Sequence, residues 1–229
     1  SLFERLIRVE EAAKRTDFVG VLRVQGRMHP AVAAFPNRMF YFKECLKPVP
    51  LSHQKETRLH YELPSQDTLD GALKTNRMLF IPSKTCRHSQ LSDKVNPDEA
   101  HIVAILLGRI YRFYGNSFDA DKTIGVIVPY RNQIAMIRKE IEKLGIKALE
   151  KISIDTVERY QGSQRDVIIY SFTVQHRYQL DFLTANCFEE NGHIIDRKLN
   201  VAVTRARKQM IITGNEMVLN QDPIFKELI

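Results

Sequence analysis

The stretch TIGVIVPYRNQIAMIRKEIEKLGI, residues 123–146, decides the fold. Ile124 to Val128 is a near-continuous apolar run, the pattern of a strand buried on both faces. After Pro129 the spacing changes. Ile134, Ile137, Ile141 and Leu144 recur at three and four residues, forming one face of a helix that Gly145 ends. A doubly buried strand leading into an amphipathic helix is one unit of a parallel sheet covered by helices.

Outward from this unit the same alternation continues. RMLFIPS (77–83) predicts a strand through Ile81. VNPDEAHIVAILLGRIYRFYG (95–115) predicts a helix. Asn96 suits the N-cap, Pro97 the first helical position, and Glu99 can reach back as in a capping box. Val103, Leu106, Leu107, Ile110 and Tyr114 form its apolar stripe, and Gly115 can end it. KISI (151–154) and DVIIYSF (166–172) are strands, RKLNVAVTRA (197–206) a helix and QMIITG (209–214) a final strand. Nearer the start, Val21 to Val24 is a short strand, and HPAVAAFPNRMFYF (29–42) is a helix that Pro36 interrupts or bends. Residues 43–76 are polar, Pro-containing and irregular, an excursion expected on the surface. No linker-like composition divides residues 1–229, so a single domain is expected: α/β, with a mostly parallel sheet and helices on both faces.

Composition narrows the function classes. The chain is 44% hydrophobic and 27% charged, ordinary for a soluble globular protein. Lys+Arg 34 against Asp+Glu 27 gives a net charge of +7, with a pI of about 9.3. That surplus suits a polyanion such as nucleic acid, or is simply a solvated basic surface. Cys45, Cys86 and Cys187 lie far apart, with no CxxC and no His at zinc spacing, as in a reduced, intracellular, metal-free protein. The longest apolar run, Ile102 to Gly108, is too short to span a membrane, and no signal peptide is expected. The chain opens at Ser1 without Met, like the interior of a longer polypeptide. None of its ten glycines is followed by Lys, so it has no phosphate-cradling P-loop. Alone, it is not expected to hydrolyse ATP.

Three segments could carry chemistry. In NVAVTRARKQMIITGN (200–215), a helix over 197–206 would bury Leu199, Ala202, Val203 and Ala206. Arg205 and Arg207 would flank that stripe on opposite sides, roughly 160° apart, and could not serve one ligand. An Arg at such a rim is either a surface ion pair or a pre-organised fork for a transferring phosphate. In RVQGRMHP (23–30), the strand Val21 to Val24 runs into Gln25, Gly26 and Arg27 and then into a helix starting near Pro30. The carboxyl end of a strand is where open α/β sheets bind ligands, although a strand-to-helix turn also carries Arg for solubility. In SIDTVERYQGSQRDVII (153–169), Thr156 could donate to a nucleic-acid phosphate and Gly162 would admit a ligand close to the backbone. Gln161 and Gln164 offer amide hydrogen bonds there, or the segment is a plain polar connection.

Taken in order, these segments resemble superfamily 1 helicases, in the branch that holds the nonsense-mediated-decay RNA helicase and the Okazaki-flap helicase–nuclease. VQGRMHP with FPNRMFY resembles the motif IV region, TIGVIVPYRNQ the strand–PY–helix element, DTVERYQGSQRDVIIYSF motif V, and RKLNVAVTRARKQMIITGN motif VI. SLFERL resembles the segment just after motif III. Only residues 43–76 lack a counterpart.

The resemblance implies a second RecA-like domain, whose partner is a P-loop-bearing first RecA-like domain of the same polypeptide. ATP and Mg²⁺ would be held mainly by that first domain. Arg27 and Arg205 would be the catalytic pair reaching the γ-phosphate. Gln25, Gly26, Gln161, Gly162 and Gln164 would lie around the nucleotide. Thr156, and with it Tyr130 and Arg131, would contact single-stranded DNA or RNA. Arg207 would be left to packing or the surface. Gly26 stands where the family has an adenine-stacking aromatic ring, and Gln164 where it has a ribose-binding Glu. A nucleic-acid-binding module without motor activity and a purely structural domain are the competing readings.

Overall fold

The computed structural model describes residues 2–15, 17–59, 61–85, 92–160, 162–190 and 192–229. In chain order the elements are α1 (Leu2–Ala12), β1 (Val24–Gln25), α2 (Pro30–Met39), β2 (Lys47–Pro48), α3 (Ser52–Lys55), α4 (Thr68–Thr75), β3 (Met78–Pro82), α5 (Pro97–Tyr114), β4 (Ile124–Val128), α6 (Arg131–Glu142), α7 (Lys147–Glu150), β5 (Ser153–Thr156), β6 (Arg165–Ser171), α8 (Tyr178–Thr184), β7 (Cys187–Glu190), β8 (His193–Asp196), α9 (Arg197–Val203), β9 (Ala206–Gly214), α10 (Glu216–Leu219) and α11 (Pro223–Leu228).

A five-stranded sheet of order β3-β9-β6-β4-β5 runs through the middle, with every neighbouring pair parallel. Its two faces follow the period-two rule of a strand. Ile168, Tyr170, Met210 and Ile212 pack with Val32, Phe35, Leu180 and Leu199 of α2, α8 and α9. Val167, Ile169 and Ile211 pack with Leu73, Val103, Leu106, Ile137 and Leu149 of α4 to α7. β4 is buried at all five positions, as its apolar run predicts. Each such Ile or Leu contributes roughly 1.5–3 kcal/mol by leaving water. The result is the three-layer α/β arrangement expected from the sequence. A two-stranded antiparallel ribbon, β7-β8, is attached to it. Among the described residues no helix is long and apolar enough to cross a membrane.

Several local expectations change. The strand expected at Val21 to Val24 is only Val24–Gln25, and it pairs in parallel with β2 in a separate two-stranded sheet. One partner position there is Pro48, which has no N–H to donate, so the ladder cannot extend far. The helix expected over 197–206 stops at Val203, and Ala206 and Arg207 already belong to β9. Of the interruption or bend expected at Pro36, the interruption does not occur: α2 continues through it. Asn96 caps α5 by accepting from the N–H groups of Asp98 and Glu99. Glu99 itself does not close a capping box; its carboxylate accepts from Ser83, Ser171 and the Thr173 N–H. Residues 43–76 are not a surface excursion throughout: they carry α3 and α4, and His53, Gln54, Leu59, Tyr61, Asp70 and Leu73 are buried.

Candidate functional site

β6 and β9 start side by side: Arg165 is paired with Ala206, and the Arg165 N–H donates to the Arg205 carbonyl at 3.1 Å. Ser163 and Gln164 therefore arrive at the amino edge of the sheet beside Thr204 and Arg205. The turn after β1 brings Arg27 to the same place. Gln25 shapes that turn, since its Oε1 accepts from the N–H groups of Arg27 (2.9 Å) and Met28 (2.7 Å) while its Nε2 donates to the Met28 carbonyl (2.8 Å). From α3, the Gln54 amide donates to the carbonyls of Gln25 and Met28, and His53 Nε2 lies 2.9 Å from the Arg27 carbonyl.

The Arg27 side chain crosses to the other segments. Its Nε donates to Gln164 Oε1 and its Nη1 to the Thr204 carbonyl, both at 3.1 Å. Arg205 is 8% exposed. Its Nε donates to the Val201 carbonyl at 3.0 Å and its Nη1 to the Ser163 carbonyl at 3.4 Å. Burial, and then the positive charge of Arg27, push the Arg205 guanidinium below its ordinary pKa. The hydrogen-bond partners of both guanidinium groups are neutral, and among the described residues neither forms an ion pair with a carboxylate. Two like charges held close, one of them buried and neither opposed by an acid, make a place for an anion.

Arg207 goes elsewhere, to an ion pair with Asp166 at 2.7 Å. The separation of the two arginines expected from helix geometry is therefore produced differently. Arg205 lies between the end of α9 and the start of β9, and Arg207 lies two residues into the new periodicity.

The predicted site residues fall into two groups. Arg27, Gln164 and Arg205 meet at the amino edge. Gly162 is exposed near them, two residues before Gln164, with φ +86 and nothing within 4 Å of where a Cβ would lie. Gln25 lies beneath the turn, with both amide atoms used inside it. Gly26 is exposed next to Leu51. Gln161 lies outside the described residues. Thr156, Tyr130 and Arg131 lie at the carboxyl edge, Thr156 as the last residue of β5 and the other two after β4. Thr156 is buried, near the Glu158 carboxylate. Tyr130 is stacked on Phe182 at 5.0 Å, and Arg131 is exposed. The expectation that Arg27 occupies a carboxyl end is thus corrected, because β1 is not part of the main sheet. The carbonyls of Val201, Ser163 and Thr204 that hold the arginines have no signature in the sequence. Neither have His53 and Gln54, which lie in the polar stretch 43–76.

Residues 1–217 match the family described as an AAA domain. The whole chain is 30% identical over 235 residues to regulator of nonsense transcripts 1 of Dictyostelium discoideum, of which it spans 16%. It is 30% identical over 241 residues to a DNA replication ATP-dependent helicase/nuclease of Xenopus laevis, of which it spans 21%. To an uncharacterized ATP-dependent helicase of Methanocaldococcus jannaschii it is 27% identical over 235 residues, 31% of that protein. The chain thus spans between about a sixth and a third of the length of these relatives.

Proposed function

This chain belongs to the AAA-domain family that its residues 1–217 match, and from that premise we propose that it is the second motor domain of an ATP-dependent nucleic-acid helicase or translocase. ATP is bound in a cleft against a first, P-loop-bearing domain of the same polypeptide. Mg²⁺ is assigned, with the triphosphate, to that first domain. Bound there, it neutralises phosphate charge.

The observation that carries this reading is the meeting of Arg27 and Arg205 at one edge with only neutral partners. A terminal phosphate supplies the missing negative charge. In the loose transition state the charge of the transferring group is spread over its three equatorial oxygens, and two fixed guanidinium forks stabilise that distribution without reorganising. Because both arginines belong to this domain and the triphosphate to the other, binding closes the cleft and product release reopens it.

The topology supports coupling of that cycle to nucleic acid. α9 begins at the carboxyl edge with Lys198 and hands over to Arg205 at the amino edge. The segment after β5 likewise leaves Thr156 at one edge and delivers Gln164 to the other. A shift at the phosphate end is transmitted along two short covalent connections to the edge assigned to the strand. Exposed Gly26, which offers the nucleotide base no ring, favours a second reading, a binding module without motor activity.

The two readings separate on one experiment. In the full-length polypeptide, Arg205→Ala should lower nucleic-acid-stimulated ATP hydrolysis by about 10³-fold or more, with the cooperative unfolding transition retained. Absence of nucleic-acid-stimulated hydrolysis in the wild type rejects the motor assignment, and variant turnover near that of a hydrolysing wild type rejects the role of Arg205.

A further inference from the structure

The segment from Lys47 to Glu56, which lies outside the ordered motifs, closes on the main chain around Arg27. The Val49 N–H donates to the Gln25 carbonyl at 3.0 Å. Gln54 Nε2 donates to the carbonyls of Gln25 and Met28, both at 2.9 Å, and His53 Nε2 to that of Arg27 at 2.9 Å. His53 and Gln54 are 6% and 5% exposed. Gln54 Oε1 is buried and has no partner among the described residues. Burying an amide with that oxygen unpaired costs stability, so packing alone would favour an apolar residue at position 54.

The His53 ring is fixed by groups of single function. A carbonyl only accepts, so Nε2 carries the proton. Nδ1 faces Arg207 Nη2 at 3.5 Å, a group that only donates, so Nδ1 keeps its lone pair. Arg207 is itself held by Asp166 at 2.7 Å. The residue that follows α3 is fixed in turn to β9. Arg77 Nη2 donates to the Glu56 carbonyl at 2.9 Å, and its Nη1 donates to the Lys208 carbonyl at 3.1 Å. Lys208 Nζ lies 3.7 Å from Glu56 Oε1. The His29 N–H donates to the Arg207 carbonyl at 2.7 Å. The turn after β1 is therefore braced against the strand that Arg205 immediately precedes.

We propose that His53 and Gln54 are positioning residues for Arg27, setting the main chain from which its guanidinium reaches the transferring phosphate, an assignment that rests on the motor reading. The bonds of the Arg27 side chain to Gln164 and Thr204 orient its head but leave its main chain to be placed by other groups. A guanidinium stabilises developing charge without reorganising only when the backbone beneath it is held. His53 and Gln54 supply that hold through the carbonyls of residues 25, 27 and 28, and not by contact with the nucleotide.

The test compares variants of the full-length polypeptide in ATP hydrolysis stimulated by a single-stranded oligonucleotide. His53→Leu and Gln54→Met should each lower kcat about ten-fold, the scale of a displacement somewhat under roughly 1 Å. The KM for ATP should stay within about two-fold, since the triphosphate is held by the other domain. His53→Gln, which returns an N–H near the place of Nε2, should recover most of the loss. In an Arg27→Ala background, read in single turnover, His53→Leu should cost less than about two-fold more, because the turn then carries nothing to aim. Gln54→Met in the same background decides the matter if His53→Leu does not fold. Variants with wild-type kcat overturn the proposal. So does a loss that multiplies in full onto that of Arg27→Ala, or one that His53→Gln does not recover. Those results leave the motor reading intact, whereas a wild type without stimulated hydrolysis overturns both.

Discussion

The Nη1 of Arg27 lies 3.1 Å from the carbonyl oxygen of Thr204, 177 residues further along the chain. This contact ties the turn after β1 to the residue immediately before Arg205. The two cationic side chains are thus fixed relative to each other by main-chain atoms of β9's approach. No flexible side-chain pairing is needed.

That geometry predicts an asymmetry between charge and shape at position 27. A lysine keeps the charge but presents a single point donor, so it cannot satisfy Gln164 Oε1 and the Thr204 carbonyl together as the guanidinium fork does. Arg27→Lys is expected to lower nucleic-acid-stimulated kcat by at least about ten-fold, while Gln164→Ala, which frees only the Arg27 Nε, lowers it less. Steady-state phosphate release checks both. An Arg27→Lys enzyme with wild-type kcat would mean that the fork has no part in turnover.

Gly125 of β4 is required for packing. A Cβ there would lie 1.7 Å from Tyr160 Oη and 2.8 Å from Tyr160 Cζ. Tyr160 lies over the strand because the segment from Thr156 to Gln164 must return along it to the amino edge. Gly125→Ala should cost about 1–3 kcal/mol through overpacking, measured by urea unfolding. Adding Tyr160→Phe removes the nearest atom and should recover part of the loss. An unchanged midpoint in Gly125→Ala would show that Tyr160 is free to move aside.

The main sheet is legible in the sequence because each of its signals is local. β4 is five apolar residues in a row, and α5 has its cap and its stripe within one segment. The end of α9 is not legible, for Thr204 and Arg205 are not helix breakers. The helix stops where the Arg205 N–H turns to the Ala202 carbonyl and its side-chain Nε takes that of Val201, while Thr204 gives both its N–H and its Oγ1 to Asn200. The stretch 43–76 misleads for a related reason. Gln54, His53 and Asp70 are polar yet buried, and each bonds to a partner distant in sequence: Gln54 Nε2 to the Gln25 and Met28 carbonyls, His53 Nε2 to the Arg27 carbonyl and Asp70 to Arg109. Polarity marks a residue as exposed only when such partners are absent. At the site, the ordered motifs point to Arg27 and Arg205, but the carbonyls that aim them can be found only in the folded chain.

Asp70 illustrates how much such a partner carries. It is fully buried, bonded to Arg109 Nη1 at 2.8 Å and to Arg112. Burial pushes its carboxyl up, but the Gln66 N–H and the two arginines outweigh it, leaving the group below the usual Asp range. Asp70→Ala strands Arg112 and leaves Arg109 with Asp67, at 2.6 Å, as its carboxylate partner. A loss of about 3 kcal/mol is expected, the low end for a broken buried pair because the arginines keep some solvent. Its contribution is present above the usual Asp range and fades as pH falls through the lowered folded value. Chemical unfolding at pH 7 tests the magnitude, and a loss within experimental error would reduce this pair to a surface contact.

Glu99 titrates in the opposite sense. It is fully buried where α5 meets the ends of β3 and β6, and burial raises its carboxyl from 4.5 to about 7 against the hydrogen bonds of Ser171, Thr173 and Ser83. Thr173 reaches it from a backbone φ of +60, a conformation uncommon for a side chain with a Cβ branch. Since the folded state holds this proton more tightly than the unfolded state, the protonated group stabilises the fold at low pH. That stabilisation is fully present below about pH 4.5 and is lost as pH rises through about 7. The span corresponds to roughly 3 kcal/mol as an order of magnitude. Glu99→Gln removes the titration, so the wild-type stability minus that of the variant should fall between pH 4.5 and 8 and then level off. Other ionisable groups contribute equally to both proteins and cancel in the difference. Urea unfolding of the pair across that range provides the measurement, and a difference independent of pH would show that Glu99 is ionised throughout.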